Sequence, residues 1–200
     1  MIIIGITGCT GAGKTTALNV LSFDFRAKII DCDVLYHELL SFDKDMLSEI
    51  KNRFPGAFHD GIFVRKELGK IVFNDEKALL DLNEITHAYI RKSIKSIIEN
   101  EKQINTNIIA IDAIALIESG LGELCDFVVG VIADEDTRVA RIMRREGITE
   151  EYARLRISAQ KSNEYFEKEC DFTLSNNYDT QAEFESVCRE FFDKKVKEVK

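Results

Sequence analysis

The chain has 200 residues, of which 45% are hydrophobic and 31% are charged. This is the composition of a globular protein with a sizeable buried core, and it argues against a disordered or membrane-embedded chain. The formal net charge of −8 argues against broad nonspecific binding of nucleic acid. An anionic ligand would therefore have to be held by a local basic cluster.

The cysteines and the first residues of the chain indicate the cellular compartment in which the protein works. Five cysteines without CxxC spacing are scattered along the sequence: Cys9, Cys32, Cys125, Cys170 and Cys188. An odd number without metal-ligand spacing predicts reduced, mostly buried thiols. The apolar start, MIIIGIT, carries no basic flank and is too short for a signal peptide or a membrane span. We therefore expect a cytoplasmic protein with no membrane partner.

Short apolar runs recur along the chain and are predicted to be strands. They cover residues 2–7, 27–31, 107–112, 126–132 and 171–176. Because these runs are rich in Ile and Val and do not alternate with polar residues, they favour parallel strands buried on both faces. Amphipathic stretches at 87–103 and 180–200 are predicted helices, and residues 54–61 around Pro55 are predicted to be a loop. The alternation of strands and helices indicates an α/β domain with a parallel sheet, whose ligands bind beyond the carboxyl ends of the strands.

The first run leads into GCTGAGKT (8–15), which satisfies G-x-x-x-x-G-K-[ST] between a predicted strand and a predicted helix. Glycines let the backbone wrap around phosphate oxygens, and the helix N-terminus adds its positive dipole end. Lys14 supplies a cation for the β- and γ-phosphates, and the Thr15 hydroxyl is a hard ligand for Mg²⁺. The motif predicts a nucleoside triphosphate site. Its binding residues would be Gly11, Ala12, Gly13, Lys14, Thr15 and Thr16.

The loop alone does not define the kind of nucleotide-binding protein. The sequence contains no N-K-x-D string of the kind that reads guanine, and it is short for an ABC or AAA-type motor. A small phosphotransferase remains, and it should show an acceptor-side base and mobile arginines.

Two carboxylates, Asp31 and Asp33, follow the second predicted strand. Transfer to a hydroxyl needs a carboxylate that orients the hydroxyl and accepts its proton, and Asp33 is the candidate. Asp33 could equally cap the following helix, and the two roles are compatible. His37 lies one turn further on the same helix face, where packing and substrate contact are both consistent with its position. Asp112, which ends the third run, fits either a carboxylate near Mg²⁺ or a strand cap.

Six of the eleven arginines fall between residues 138 and 156. Helical spacing places Arg138, Arg141 and Arg145 on one stripe. The planar fork of arginine suits a transferring phosphoryl group because it bonds two oxygens at once. In an acidic chain with a phosphate loop, this cluster favours an anion-clamping lid over a solvated face paired with nearby glutamates. Gly147 would permit a bend within such a lid, which would exclude water from the site.

Taken together, these features resemble the dephospho-CoA kinase family, and the resemblance runs nearly end to end. The stretches that carry it are IIIGITGCTGAGKTT (2–16), DCD (31–33), RKELGKIVF (65–73), LNEITH (82–87), DAIALIESGL (112–121), RIMRREGITEEYARLRISAQ (141–160) and DFTLSN (171–176). The phosphate loop marks only a superfamily, whereas residues 65–73, 82–87 and 141–160 are specific to the family.

The chain departs from the family pattern at several positions. It has Ala88 where the family often has proline, DAIALIE where D-x-P-L-L-F-E is frequent, and Cys9-Thr10 where G-I is usual. None of these changes removes a polar group from the proposed chemistry. They bear on the shape of the acceptor pocket more than on the reaction.

The resemblance implies a three-layer P-loop kinase fold with a parallel sheet, a helical CoA-side region and a mobile lid. The whole chain would form one kinase domain. Its core would cover about 1–33, 106–140 and 170–200, the acceptor-side helical region about 34–105, and the lid about 141–169.

The resemblance also implies a reaction, in which the γ-phosphoryl group of ATP passes to the 3′-hydroxyl of the dephospho-CoA ribose. Coenzyme A and ADP would form, with Mg²⁺ as cofactor and dephospho-CoA as the small-molecule partner of a monomer or weak homo-oligomer. Asp33 would be the base, and Lys14 the cation that stabilises the phosphates. The remaining site residues would be Arg141 and Arg145 as lid contacts, Asn176 near the adenine, and His37, Arg65 and His87 on the acceptor side.

Two alternatives stand beside this reading. The first is a P-loop kinase that acts on another small hydroxyl acceptor. The second is a regulatory module that binds ATP without transferring its phosphate, which would need neither a base nor a closing lid.

Overall fold

The five predicted strands form one sheet in the computed structural model, which describes residues 1–199. They are β1 (Ile2–Gly8), β2 (Lys28–Asp31), β5 (Ile108–Asp112), β6 (Phe127–Ile132) and β7 (Phe172–Ser175). Two further strands, β3 (Phe58–His59) and β4 (Ile62–Phe63), form a separate two-stranded sheet. The helices are α1 (Lys14–Phe25), α2 (Cys32–Phe42), α3 (Lys44–Arg53), α4 (Arg65–Phe73), α5 (Glu76–Gln103), α6 (Glu135–Glu146), α7 (Glu150–Ser158), α8 (Asn163–Glu169) and α9 (Gln181–Val199). Short 3-10 turns cover Pro55–Ala57 and Leu121–Leu124.

The strand that precedes the phosphate loop lies at the centre of the sheet, whose order is β2-β5-β1-β6-β7. β1 pairs in parallel with β5 and β6, and β6 pairs in parallel with β7. Ile4 of β1 lies opposite Ala110 of β5 and Phe127 of β6. Ile4 and Ala110 are fully buried, as the continuous apolar runs require. The prediction of an α/β fold with a parallel sheet is confirmed.

Helices flank this sheet. α1 packs against β1, β5 and α9, and the ring of Phe25 meets that of Phe192 edge-on at a centroid distance of 6.2 Å. α8 packs against β6 and β7. Its Phe166 approaches Gly130 so closely that a Cβ on the glycine would lie 3.0 Å from the Cβ of Phe166. Helices thus pack on four strands of this sheet, β1, β5, β6 and β7.

The chain divides into two compact units. Asp31–Asn100 form the second unit, and the residues on either side of this range form the first. Within the second unit, α5 buries Leu82, Ile90, Ile94 and Ile98 along one face, at the spacing expected of a helix. The helix predicted over 87–103 is therefore present, and it begins earlier, at Glu76.

The prediction of a loop at 54–61 is wrong. Pro55–Ala57 form a 3-10 turn, and Phe58–His59 then pair antiparallel with Ile62–Phe63. The two residues between these strands, Asp60 and Gly61, have φ values of 50° and 81°. An Asp-Gly pair with both residues at positive φ is a favoured hairpin turn. The signal was present, but strands of two residues are too short to show periodicity.

All five cysteines are free thiols, and four of them are buried. Burial raises the pKa of the Cys188 thiol to about 12 and that of Cys170 to about 11. No helix within residues 1–199 is long and apolar enough to cross a membrane.

Candidate active site

The phosphate loop joins β1 to α1 and depends on glycine at two positions. Gly8 has a φ of 137°, and a Cβ there would lie 2.1 Å from the carbonyl oxygen of Val131. Gly13 has a φ of 104°, and a Cβ there would lie 2.3 Å from Nδ2 of Asn176. Both contacts are far below the distance that a side chain tolerates, so the close packing of the loop on β6 and Asn176 needs glycine.

The first turn of α1 is open to an anion. Its N-cap is Gly13, which provides no side-chain cap, and the first turn contains no acidic residue. The first N–H groups of a helix have no partner within the helix, and the dipole adds positive charge at the same end. This helix end is therefore suited to phosphate oxygens.

Lys14 forms an ion pair with Asp112, and both side chains are largely buried. Asp112 is the last residue of β5 and lies opposite Ile6 of β1 in the sheet. The alignment of two parallel strands thus brings the strand-end carboxylate to the cation of the loop. Asp112 ends its strand as the sequence predicted, and its carboxylate pairs with the loop lysine.

One cavity of about 730 Å³ lies over the loop, within the range of roughly 300–1,000 Å³ that small-molecule ligands occupy. Its lining includes all three threonines of the loop, Thr10, Thr15 and Thr16, and the residues Asn176, Asp179 and Thr180 after β7. The cationic side chains that face it are Lys14, Arg141, Arg144, Arg145 and Arg156. A cavity with this many cations in a chain of net charge −8 fits a strongly anionic ligand such as a triphosphate.

Asn176 and Arg141 contact the loop, and both also line the cavity. Asn176, 5% exposed, donates from Nδ2 to the carbonyl oxygen of Ala12 over 2.7 Å. Arg141 donates to the carbonyl oxygens of Asn176 and Tyr178, each over 3.0 Å. Desolvation, followed by the neighbouring Arg144, lowers the pKa of the Arg141 guanidinium. These bonds connect α6, the end of β7 and the phosphate loop.

α6 and α7 form a helical pair, which we call the α6–α7 hairpin (135–158). It turns at Gly147, whose φ of 67° ends α6, so the predicted bend is present. The two helices share a small apolar core of Val139, Ile142, Ala153 and Ile157. That core makes the hairpin one packed element from which the arginines project.

The arginines of this hairpin have different partners. Arg145 and Arg156 line the cavity and both pair with the carboxylate of Glu146. The bonds from Arg145 and then Arg156 lower the pKa of Glu146. Arg154 instead pairs with Glu150 of its own helix and with Glu135 at the start of α6. Arg154 thus ties the two helices together.

The sequence placed Arg138 on the anion-facing stripe, and the structure corrects this. Arg138 is only 4% exposed. Its Nε donates to the carbonyl oxygen of Thr10 over 3.1 Å, and its Nη2 donates to Oε1 of Gln160 over 3.2 Å. Helical spacing predicts the direction of a side chain but not its partners. The bonds of Arg138 to Thr10 and Gln160 could therefore not be predicted from the sequence.

The second unit contains the predicted acceptor-side residues. Oδ1 of Asp31 accepts from the N–H groups of Asp33 and Val34, over 2.9 and 3.0 Å. Asp31 is therefore the N-cap of α2, and the alternative that Asp33 caps this helix is wrong. Asp33 lies exposed in the first turn of α2, with its carboxylate not used as the cap.

The structure brings two other predicted acceptor-side residues together. Nη1 of Arg65, at the start of α4, lies 3.1 Å from Nδ1 of His37 in α2. His87 lies half-buried within α5. Both histidines thus lie on helices of the second unit.

A parallel sheet whose central strand enters a phosphate loop, beside a hairpin that presents arginines to the same cavity, defines a P-loop phosphotransferase. A family model described as dephospho-CoA kinase matches residues 2–182. The chain belongs to the dephospho-CoA kinase family, as the sequence motifs indicated.

Individual relatives agree with this placement. The chain is 34% identical to the dephospho-CoA kinase of Corynebacterium diphtheriae over 179 residues, which cover 88% of this chain and 89% of that protein. Its fold is similar to that of a Thermus thermophilus protein, with a TM-score of 0.75 and 26% identity over 96% of this chain and 97% of the other. It is also similar to the dephospho-CoA kinase from Campylobacter jejuni, with a TM-score of 0.70 and 25% identity over 99% and 98% of the two chains.

Proposed function

We propose that this protein phosphorylates the 3′-hydroxyl of the ribose of dephospho-CoA with ATP, giving coenzyme A and ADP. The observation that carries the proposal is the cavity over the phosphate loop, where Lys14 and four arginines converge in a chain of the dephospho-CoA kinase family. A protein that only bound ATP would not need arginines from a separate helical hairpin at the phosphates. This favours transfer over the regulatory alternative.

On the donor side, the loop and the start of α1 bind the β- and γ-phosphates. Lys14 exchanges its carboxylate partner, Asp112, for phosphate oxygens when the nucleotide binds. Arg141 and Arg145 stabilise the charge that develops on the transferred group, because guanidinium forks bond two oxygens at once. The cations that line the cavity together offset most of the charge of a triphosphate.

The residues present also fit Mg²⁺. The Thr15 hydroxyl lines the cavity, and protein Mg²⁺ sites of this kind use one or two protein oxygens together with phosphates and water. Bound there, the ion would offset charge between the β- and γ-phosphates. Asp112 is the nearby carboxylate that would orient water on such an ion.

On the acceptor side, Asp33 accepts the proton of the attacking hydroxyl. This assignment rests on the availability of the carboxylate. Because Asp31 caps α2, the Asp33 carboxylate is not used as the cap and can accept a proton. His37, Arg65 and His87 contact dephospho-CoA. The contact between Arg65 and His37 makes those two side chains one polar group. Asn176 lies beside the adenine while it holds the loop. We further propose that the enzyme works in the cytoplasm as a monomer or weak homo-oligomer.

The deciding experiment incubates the purified protein with ATP, MgCl₂ and dephospho-CoA and measures coenzyme A by mass spectrometry. We expect one coenzyme A for each ADP. Parallel reactions with GTP and with other hydroxyl metabolites give the donor and acceptor preference. Efficient phosphorylation of another acceptor without coenzyme A would support the first alternative, and ATP binding without any turnover would support the second.

A further inference from the structure

Thr10, one of the residues at which the loop departs from the family pattern, has all of its polar groups bonded to the region of the α6–α7 hairpin. Its N–H donates to Oε1 of Gln160 over 3.1 Å, and its Oγ1 accepts from Nε2 of Gln160 over 2.6 Å. Its carbonyl oxygen accepts from Nε of Arg138 over 3.1 Å. The loop residue and the glutamine amide thus bond each other in both directions.

A fourth bond closes the ring. Nη2 of Arg138 donates to the same Oε1 of Gln160 that accepts from Thr10, over 3.2 Å. Arg138 is buried and Thr10 and Gln160 are half-buried, so water competes weakly for these groups and each bond counts for more than it would at the surface. We call this ring of Thr10, Arg138 and Gln160 the loop clamp.

The position of the loop clamp allows it to fix the cavity-lining arginines relative to the phosphate loop. Arg138 lies near the start of α6, and Gln160 follows the end of α7 at Ser158. The two clamp residues therefore bracket 141–156, the segment whose arginines line the cavity. Because α6 and α7 share one apolar core, fixing both ends to one loop residue fixes the arginines relative to the phosphate loop.

We propose that Thr10 and Gln160 are positioning residues, which seat the α6–α7 hairpin on the phosphate loop so that phosphate passes to the acceptor rather than to water. The inference rests on the proposed function. The Thr10 hydroxyl contributes one of the four bonds, and it is absent wherever an aliphatic residue stands at this position. Loosening the seat lets water reach the γ-phosphate, so that ATP is hydrolysed to ADP and inorganic phosphate.

The test starts from Thr10→Val, which keeps the side-chain shape and removes the acceptor for Gln160 Nε2. We expect kcat for coenzyme A formation to fall roughly two- to tenfold, the loss of one hydrogen bond, and ADP release to exceed coenzyme A formation. Thr10→Ser retains the hydroxyl and should restore most of the lost activity and the one-to-one ratio. The matched control is Ser158→Ala, which removes an exposed hairpin hydroxyl that donates to Leu155 of its own helix.

Two results would overturn the proposal. One is a Thr10→Val enzyme with the kcat and product ratio of the wild type, and the other is a Thr10→Ser enzyme as impaired as Thr10→Val. A double-mutant cycle adds a third check. Once Gln160→Leu has removed the amide, Thr10→Val should cost nothing more, whereas multiplied losses would show that Thr10 acts without Gln160.

Hydrogen exchange of the ligand-free protein separates this inference from the proposed function. In Thr10→Val, the amides of 147–161 should exchange faster than in the wild type, and Thr10→Ser should restore protection. Unchanged exchange would contradict the loop clamp even if coenzyme A is made. A wild-type protein that makes no coenzyme A would contradict the function and leave the exchange result to judge the clamp.

Discussion

The ammonium group of Lys14 is bonded to the carboxylate of Asp112, so the cation of the phosphate loop is held by the end of the neighbouring strand. This pairing holds the lysine beside the cavity and partly shields two charges from water. A bound nucleotide must compete with Asp112 for the lysine. In the proposed reaction, the carboxylate released in this way would be available to orient water on Mg²⁺.

Replacement of the loop cation should affect both binding and transfer. Lys14→Ala should weaken ATP binding roughly tenfold or more and lower kcat by about 10²- to 10³-fold, because the lysine contacts phosphate in the ground state and in the transition state. Calorimetric titration and steady-state kinetics measure the two losses. Lys28→Ala, which removes a half-exposed lysine at the start of β2, should change neither by more than about twofold. Unaltered ATP affinity in Lys14→Ala would contradict the assigned role.

Replacement of the proposed base, Asp33, should lower turnover without weakening ATP binding. Asp33→Asn should lower kcat by about 10²- to 10⁴-fold with little change in ATP affinity, since the carboxylate acts on the acceptor hydroxyl. Asp45→Asn is a matched control, because Asp45 is also an exposed carboxylate in a first helical turn, that of α3. An equal loss of ATP affinity and turnover in Asp33→Asn would count against the base.

Glu146 pairs with two arginines that line the cavity, Arg145 and Arg156. Glu146→Gln should tighten ATP binding by roughly two- to fivefold at low salt, because Arg145 and Arg156 lose their competing carboxylate and these exposed pairs are weak. Titration at low and high salt measures the change, which should shrink with added salt. Glu151→Gln removes an exposed carboxylate of α7 and serves as the charge control. Weaker binding in Glu146→Gln would mean that the glutamate orients the arginines.

The buried amide of Asn176 should matter for stability as well as binding. Asn176→Ala leaves the Ala12 carbonyl without its 2.7 Å donor, and we expect the free energy of unfolding to fall by about 1–3 kcal/mol. Asn177→Ala removes an exposed acceptor of the Asp134 N–H, which water can replace, so its loss should stay below about 1 kcal/mol. Urea denaturation compares the two, and similar losses would contradict the argument from burial.

The buried thiol of Cys188 predicts a dependence of stability on alkaline pH. Burial, with a smaller contribution from Glu185, raises its pKa from 9.0 to about 12 in the folded state. The unfolded chain therefore loses this proton first, and stability that is present below pH 9 is lost as the pH rises toward 12. The slope is about 1.4 kcal/mol per pH unit within that window. Cys188→Ala lowers stability at every pH but should flatten the curve above pH 9, and curves that stay parallel would contradict the shift.

Much of the first unit could be predicted because its signals are local and redundant. A parallel strand buried on both faces appears as an unbroken Ile/Val run, and the ends of all five sheet strands lie within one residue of their predicted bounds. The phosphate loop is continuous in sequence, so its glycines, lysine and threonines can be recognised from their spacing alone. Motif matches outside the loop then indicated the family.

The parts that escaped prediction depend on contacts between distant residues. Thr10 and Gln160 are 150 positions apart, and nothing in either segment alone signals their bond. Asp31 and Asp33 offer the same cap chemistry two residues apart, so only geometry could show that Asp31 fills that role. Arg138 and Arg141 share a helix face, yet one meets protein and the other the cavity.

The last helix has a consequence for how the protein can be shortened. The family match stops at residue 182, whereas α9 continues to Val199 and buries Phe184, Cys188 and Phe192 completely. Phe192 rests on Phe25 of α1, the helix that begins at the phosphate loop. A chain cut at 182 would retain every residue assigned to catalysis, but α1 would lose the buried side chains of α9 that pack against it. Residues beyond those assigned to catalysis are therefore needed for the stability of the fold.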